Sequence, residues 1–173
     1  MKYAMIFPGQ GAQRPGMGKD IYDRYVSAKR IFDEADEALG FSLSDIIFNG
    51  TPEELAHTKI TQPAILTVSV AMLRALEQEL GTAVEPACMA GHSLGEYTAL
   101  VAAGSLSLTD GVRLVHKRGG LMQDAVPLGM GSMAAIIGIE LSDVSAICAE
   151  AAQGEVCQAA NINSPTQIVI SGH

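Results

Sequence analysis

Short apolar runs alternate with longer stretches in which apolar residues return every three or four positions. The first pattern predicts strands and the second amphipathic helices. Lys2–Phe7 reads as a strand, followed by a Gly/Gln/Pro loop from Pro8 to Gly18. Asp20 is placed to cap a helix through Ile21, Val26, Ile31 and Ala35, ending at Gly40. Thr51-Pro52-Glu53-Glu54 combines an N-cap hydroxyl, a proline at the first helical position and an acid at the third, which together form a capping box. A longer helix is expected from about Gln62 to Leu80, with Gly81 past its end. Ala87-Cys88-Met89-Ala90 is a short apolar run expected to form a buried strand. Glu96 to Ala103 reads as a helix closed by Gly104, and Thr109-Asp110 opens another through Val112, Val115 and Leu121. Pro127, Gly129 and Gly131 break that pattern.

Beyond the break the order changes. Met133–Ile139 is an expected strand, Ser142–Ala152 a helix, and Val156–Ala160 and Gln167–Ser171 two further strands. That β-α-β-β order resembles the first part of a ferredoxin-like unit. The fold class expected is therefore α/β. A large domain, residues 1–128, would be a mainly parallel, hydrolase-like sheet with helices on both faces. A truncated ferredoxin-like subdomain would follow, residues 129–173.

Composition narrows this picture. With 173 residues, 48% hydrophobic and only 5% aromatic, the chain suits helices packed on a sheet better than an aromatic-rich sandwich. No apolar run approaches the about 18 residues of a membrane span, and the N-terminal stretch is too short for a secretory signal. A cytoplasmic location with no membrane partner is the expectation. A net charge of −8 disfavours nucleic acid as a partner. Cys88, Cys148 and Cys157 are odd in number and lack metal-type spacing, so core thiols are expected rather than disulfides or a metal site.

The candidate chemistry lies at Gly91-His92-Ser93-Leu94-Gly95, a G-x-S-x-G sequence with an apolar run before it and a helical pattern after it. In a nucleophile elbow this motif presents a serine on a sharp strand-to-helix turn, and the glycines tolerate close packing. Ser93 is the candidate nucleophile; the dull reading is a glycine-rich connection. An acyl-transferring serine needs donors aimed at its oxyanion. The N–H of Leu94 supplies one, and Pro8-Gly9-Gln10-Gly11-Ala12-Gln13 is the best source of a second. That loop lacks the lysine and spacing of a phosphate-binding loop. Read by itself, Arg118 belongs to a cationic cluster with Arg113, His116 and Lys117, which is ordinarily a solvated face.

Phe7-Pro8-Gly9-Gln10-Gly11-Ala12-Gln13 together with Gly91-His92-Ser93-Leu94-Gly95-Glu96-Tyr97 resembles the malonyl-CoA:acyl-carrier-protein transacylases. Thr61-Gln62-Pro63-Ala64, Lys117-Arg118-Gly119 with Met122, Gly131-Ser132-Met133 and Asn161-Ile162-Asn163-Ser164-Pro165-Thr166-Gln167 through Ile170-Ser171-Gly172 extend the likeness along the chain. The resemblance implies a two-step transfer in fatty acid biosynthesis. Ser93 takes malonyl from coenzyme A as an ester, and the phosphopantetheine thiol of an acyl carrier protein removes it. It implies Gln10 and Leu94 as oxyanion donors and Arg118 as the fork that binds the malonyl carboxylate. His92 would support the elbow or line the pocket, and Asn161 or Asn163 would line it too, unless Asn-x-Asn-Ser-Pro is a plain turn. Coenzyme A thioester is then a substrate, with no bound cofactor and no metal. Arg113 and Lys117, one helical turn apart, could form a basic surface for the carrier or a solvated face.

The family's catalytic histidine follows the Ile-Ser-Gly segment. His57 is expected at the surface, His116 on the cationic helix, and His173, too early to be that residue, frayed. The chain therefore resembles the N-terminal part of the enzyme without its base, and is expected to transfer malonyl poorly by itself and to expose apolar surface. Three other readings stay open: a serine thioesterase or esterase of α/β-hydrolase type, an incomplete fragment that only binds acyl-CoA or carrier, and a polyketide synthase acyltransferase domain. The Met before the first strand favours a stand-alone protein over the last of these.

Overall fold

The computed structural model describes residues 2–126 and 129–173. Pro127, expected to break the helical pattern opened at Thr109-Asp110, and the expected boundary after residue 128 fall outside the described residues. The chain forms two compact units, residues 1–122 and 123–173. Both are α/β.

In the first unit, β1 (Ala4–Phe7) pairs in parallel with β2 (Cys88–Gly91). Helices fill the sequence around them: α1 (Lys19–Arg24), α2 (Val26–Leu39), α3 (Leu43–Asn49), α4 (Pro52–Ala56), α5 (Thr58–Leu80), α6 (Leu94–Ala102) and α7 (Leu108–Ala125). The spine is α5, whose residues Ile60 to Val68 are all buried. Around it pack Phe32 of α2, Leu43 and Ile47 of α3, Leu55 of α4, Leu94 of α6, and Val112 and Val115 of α7. Burial on every side is what makes this stretch a central helix, and its polar members Thr61, Gln62 and Thr67 are buried with it.

Several boundaries differ from those expected, each for a local reason. One helix from Asp20 to Gly40 is instead two, because Tyr25 adopts an extended conformation (φ −117°, ψ 121°). The break lets Tyr22 meet Phe32 and Phe48 edge-on, with ring centroids 5.4 and 5.1 Å away. Asp20 lies inside the first turn of α1; its N-cap is Gly18, in the left-handed region. The α3 helix was not expected; Ser42 caps it, accepting from the Asp45 N–H. The capping box at Thr51 and Glu54 forms as expected. Helix α5 starts four residues before Gln62 and carries Pro63 in its interior.

Strand β2 is not buried. Cys88 and Ala90 are exposed, so Cys88 is not a core thiol. The physical reason is one-sided pairing: among the described residues β2 pairs only with β1. A cleft of about 570 Å³ opens beside it, lined by Val84, Pro86, Cys88, Ala90, Glu96 and Leu100 among others.

The second unit contains β3 (Ser132–Ile137), α8 (Leu141–Ala151), β4 (Cys157–Ser164) and β5 (Gln167–Gly172). Its sheet order is β3-β5-β4, antiparallel throughout, with irregular register between Ala159 and Asn161. Ile168, Val144 and Cys148 form its small core. Burial pushes the Cys148 thiol pKa up, and the neighbouring Cys157 adds to the shift. His173 is not frayed: its N–H donates to Val156 O at 3.0 Å and its Nδ1 accepts from Val156 N–H at 3.2 Å.

Candidate functional site

Parallel pairing sets Phe7, the last residue of β1, beside Gly91, the last of β2. Two connections thus leave the same carboxyl end of the pair, the Pro8–Gly11 loop and the turn at Ser93. Ser93 has φ 51° and ψ −101°, a conformation that a side chain disfavours. The flanking glycines show why the turn is so tight. A Cβ on Gly91 would lie 1.9 Å from the Gly95 carbonyl carbon, and one on Gly95 would lie 2.3 Å from Phe7 O. Strand, turn and helix therefore meet backbone on backbone, and α6 begins immediately at Leu94. The Leu94 side chain is buried. Its N–H belongs to the first turn, where a helix has donors without intrahelical acceptors.

The Pro8–Gly11 loop lies against this turn. A Cβ on Gly9 would be 2.7 Å from His92 O and 2.9 Å from His92 Nδ1, so the His92 ring is directed to that loop. Gln10 is exposed, and its Nε2 donates to Thr58 Oγ1 at 3.4 Å, tying the loop to the first residue of α5.

Arg118 reaches the serine from α7. Its Nη2 donates to Ser93 Oγ at 2.9 Å, and its Nη1 donates to Gln62 Oε1 at 2.7 Å. The guanidinium also lies over the Tyr97 ring, 5.6 Å from the centroid, a separation at which a cation is attracted to the ring face. Arg118 is thus half-buried and held on three sides, whereas the neighbouring Lys117 makes none of these contacts. Arg113 has another partner, its Nε donating to Ala38 O at 2.9 Å.

Gln62 and Tyr97 were not singled out from sequence as site residues. The available signal was a glutamine directly before the apolar run Pro63-Ala64-Ile65-Leu66; Gln62 is fully buried, and its Nε2 contacts Met122 Sδ at 3.2 Å. A buried amide must find partners, and this one finds the arginine. Asn161 lies on β4 of the second unit and is exposed. His57 is exposed, and His116 Nδ1 bonds to Lys59 O at 2.8 Å. Neither Ser93 nor Arg118 lines the cleft beside β2. Among the described residues no cluster of three His, Cys, Asp or Glu side chains could hold a metal. No helix among them is long and apolar enough to cross a membrane.

Comparison with known proteins identifies the family. The profile described as acyl transferase domain matches residues 4–173. A malonyl CoA-acyl carrier protein transacylase of Escherichia coli K12 is 51% identical over 172 residues, covering 99% of this chain and 55% of the relative. The structure of a malonyl CoA-acyl carrier protein transacylase from Coxiella burnetii superposes with a TM-score of 0.92 at 46% identity, over 100% of this chain and 54% of the other. A third similar structure is a malonyl-transacylase in complex with its type II PKS acyl-carrier protein, with a TM-score of 0.90, 46% identity, and 99% and 55% coverage. The chain spans about half the length of the curated relatives it matches.

Proposed function

The chain belongs to the acyl transferase domain family, and from that premise we propose that it carries the nucleophile of an acyltransferase that moves malonyl from coenzyme A to the phosphopantetheine thiol of an acyl carrier protein, in fatty acid biosynthesis and in the cytoplasm. The observation that carries this reading is the hydrogen bond from Arg118 Nη2 to Ser93 Oγ. A serine on a strained turn suits acyl transfer in general. A guanidinium touching its oxygen suits an acyl group whose far end is anionic.

In the first step Ser93 Oγ attacks the thioester carbonyl. The Oγ–C bond forms, negative charge moves to the carbonyl oxygen, and the coenzyme A sulfur leaves as the tetrahedral intermediate collapses. The N–H of Leu94 and a donor from Gln10 receive the oxyanion. Arg118 is permanently protonated and cannot take the Oγ proton. That proton goes to a separate base, a histidine of the kind the family uses. In the second step the carrier thiol attacks the ester carbonyl and Ser93 is released. Arg118 holds the malonyl carboxylate through both steps, its other edge kept on Gln62. His92 supports the elbow from the Gly9 side.

The identity to named transacylases and the arginine disfavour the thioesterase reading. The β3-β5-β4 strand order supports a ferredoxin-like character for the second unit, and the parallel pairing of β1 and β2 supports a hydrolase-like sheet in the first. Intact mass spectrometry after mixing with malonyl-CoA, and separately acetyl-CoA, tests the proposal. A single malonyl ester mapping to Ser93 and absent in S93A is the expected result. A chain that labels equally with acetyl, or at a residue other than Ser93, overturns it.

A further inference from the structure

Pro63 sits six residues into α5. It has no N–H, so the carbonyl four residues earlier, on Lys59, loses its helical donor. That carbonyl does not go unserved. His116 Nδ1 lies 2.8 Å from it. A carbonyl only accepts, so Nδ1 carries the proton. The ring is half-buried and tilted against Phe41, 5.6 Å between centroids. Almost one turn further along α7, a Cβ on Gly119 would lie 2.6 Å from both Lys59 Cα and Thr58 O. There the two helices touch through backbone. Between these contacts stands Arg118, whose Nη1 is held by Gln62, the residue before the proline.

We propose that His116 is a positioning residue for the carboxylate-binding arginine: by donating to the carbonyl stranded by Pro63, it fixes the register of α7 on the first turns of α5, so that Arg118 reaches Ser93. The inference rests on the acyl-transfer reading above. Arg118 is a long lever. A small rotation or slide of α7 is magnified at Nη2, and misplacement by about 1 Å is enough to cost a well-aligned reaction heavily. Gly119 allows the approach but has no directional bond to set it. His116 supplies that bond from α7, two residues from the arginine.

The test is the malonyl-CoA dependence of Ser93 ester formation, followed by intact mass spectrometry and read as a KM and a kcat for loading, on H116L, H116N and the double variant P63A/H116L. H116L removes the donor, and H116N keeps an N–H at the position of Nδ1. In the double variant the P63A change restores a backbone N–H to the Lys59 carbonyl. Loss of one neutral hydrogen bond predicts a malonyl-CoA KM raised about five-fold in H116L, with kcat little changed. H116N and P63A/H116L should return close to wild type. An unchanged KM in H116L overturns the inference, as does an equal loss of kcat in H116L and H116N, or a double variant no better than H116L. Should H116L fail to fold, H116Q, whose N–H stands one bond further out, replaces it in the comparison. The two readings fail separately: no malonyl ester on wild-type Ser93 sinks the acyl-transfer reading, whereas a normal ester with an H116L KM like wild type sinks only this one.

Discussion

Ser93 occupies backbone angles (φ 51°, ψ −101°) that glycine adopts freely and serine does not. Such strain costs about 1–3 kcal/mol, so S93G should be more stable than S93A by roughly 1–2 kcal/mol in a denaturant titration while forming no ester. Equal stability of the two variants would mean that the turn stores no strain. Arg118 offers the second test at this scale. Removing one charge-assisted pair in R118A should lower malonyl loading about ten- to a hundred-fold and leave acetyl loading little changed. A parallel fall of both would assign the arginine to structure alone. Ser93 was legible in the sequence because its neighbours spell out a turn. Arg118 was legible only through family likeness, since its helix reads as a solvated cationic face. Gln62 and Tyr97, which hold the guanidinium, were missed because pairing between distant helices leaves no local pattern.

Helices with a cap or terminating glycine of their own were readable. The Thr51 capping box and Gly40 and Gly81, both in the left-handed region, stand where the pattern put them. The start of α5 was not, because an internal proline normally marks a first turn, and Pro63 instead stands six residues into α5. Neighbouring glycines on α7 expose its approach to α5. A Cβ on Gly119 meets the α5 backbone at 2.6 Å, whereas one on Gly120 meets nothing within 4 Å. G119A should therefore destabilise by about 1–3 kcal/mol, and G120A should stabilise by roughly 0.5–1 kcal/mol through lower chain entropy. Thermal melts of the pair check this. The same sign in both would contradict the close packing of α7 on α5.

At the scale of the molecule, α/β character and the β-α-β-β order of the second unit could be read from alternating patterns. The exposure of β2 could not. A four-residue apolar run announces burial, and how many neighbours a strand has is a property of the sheet rather than of the run. Among the described residues β2 presents an unpaired strand edge beside an apolar cleft, a combination that invites association. In size-exclusion chromatography the 173-residue chain should elute ahead of an 18.1 kDa monomer, and a sharp monomeric peak at high concentration would contradict this. Cys88, on that open edge, turns the cleft into something that can be clocked. Its alkylation by a neutral reagent will be fast while β2 is bare and slow whenever another segment or molecule lies over it, so one thiol can report whether the sheet has found its cover.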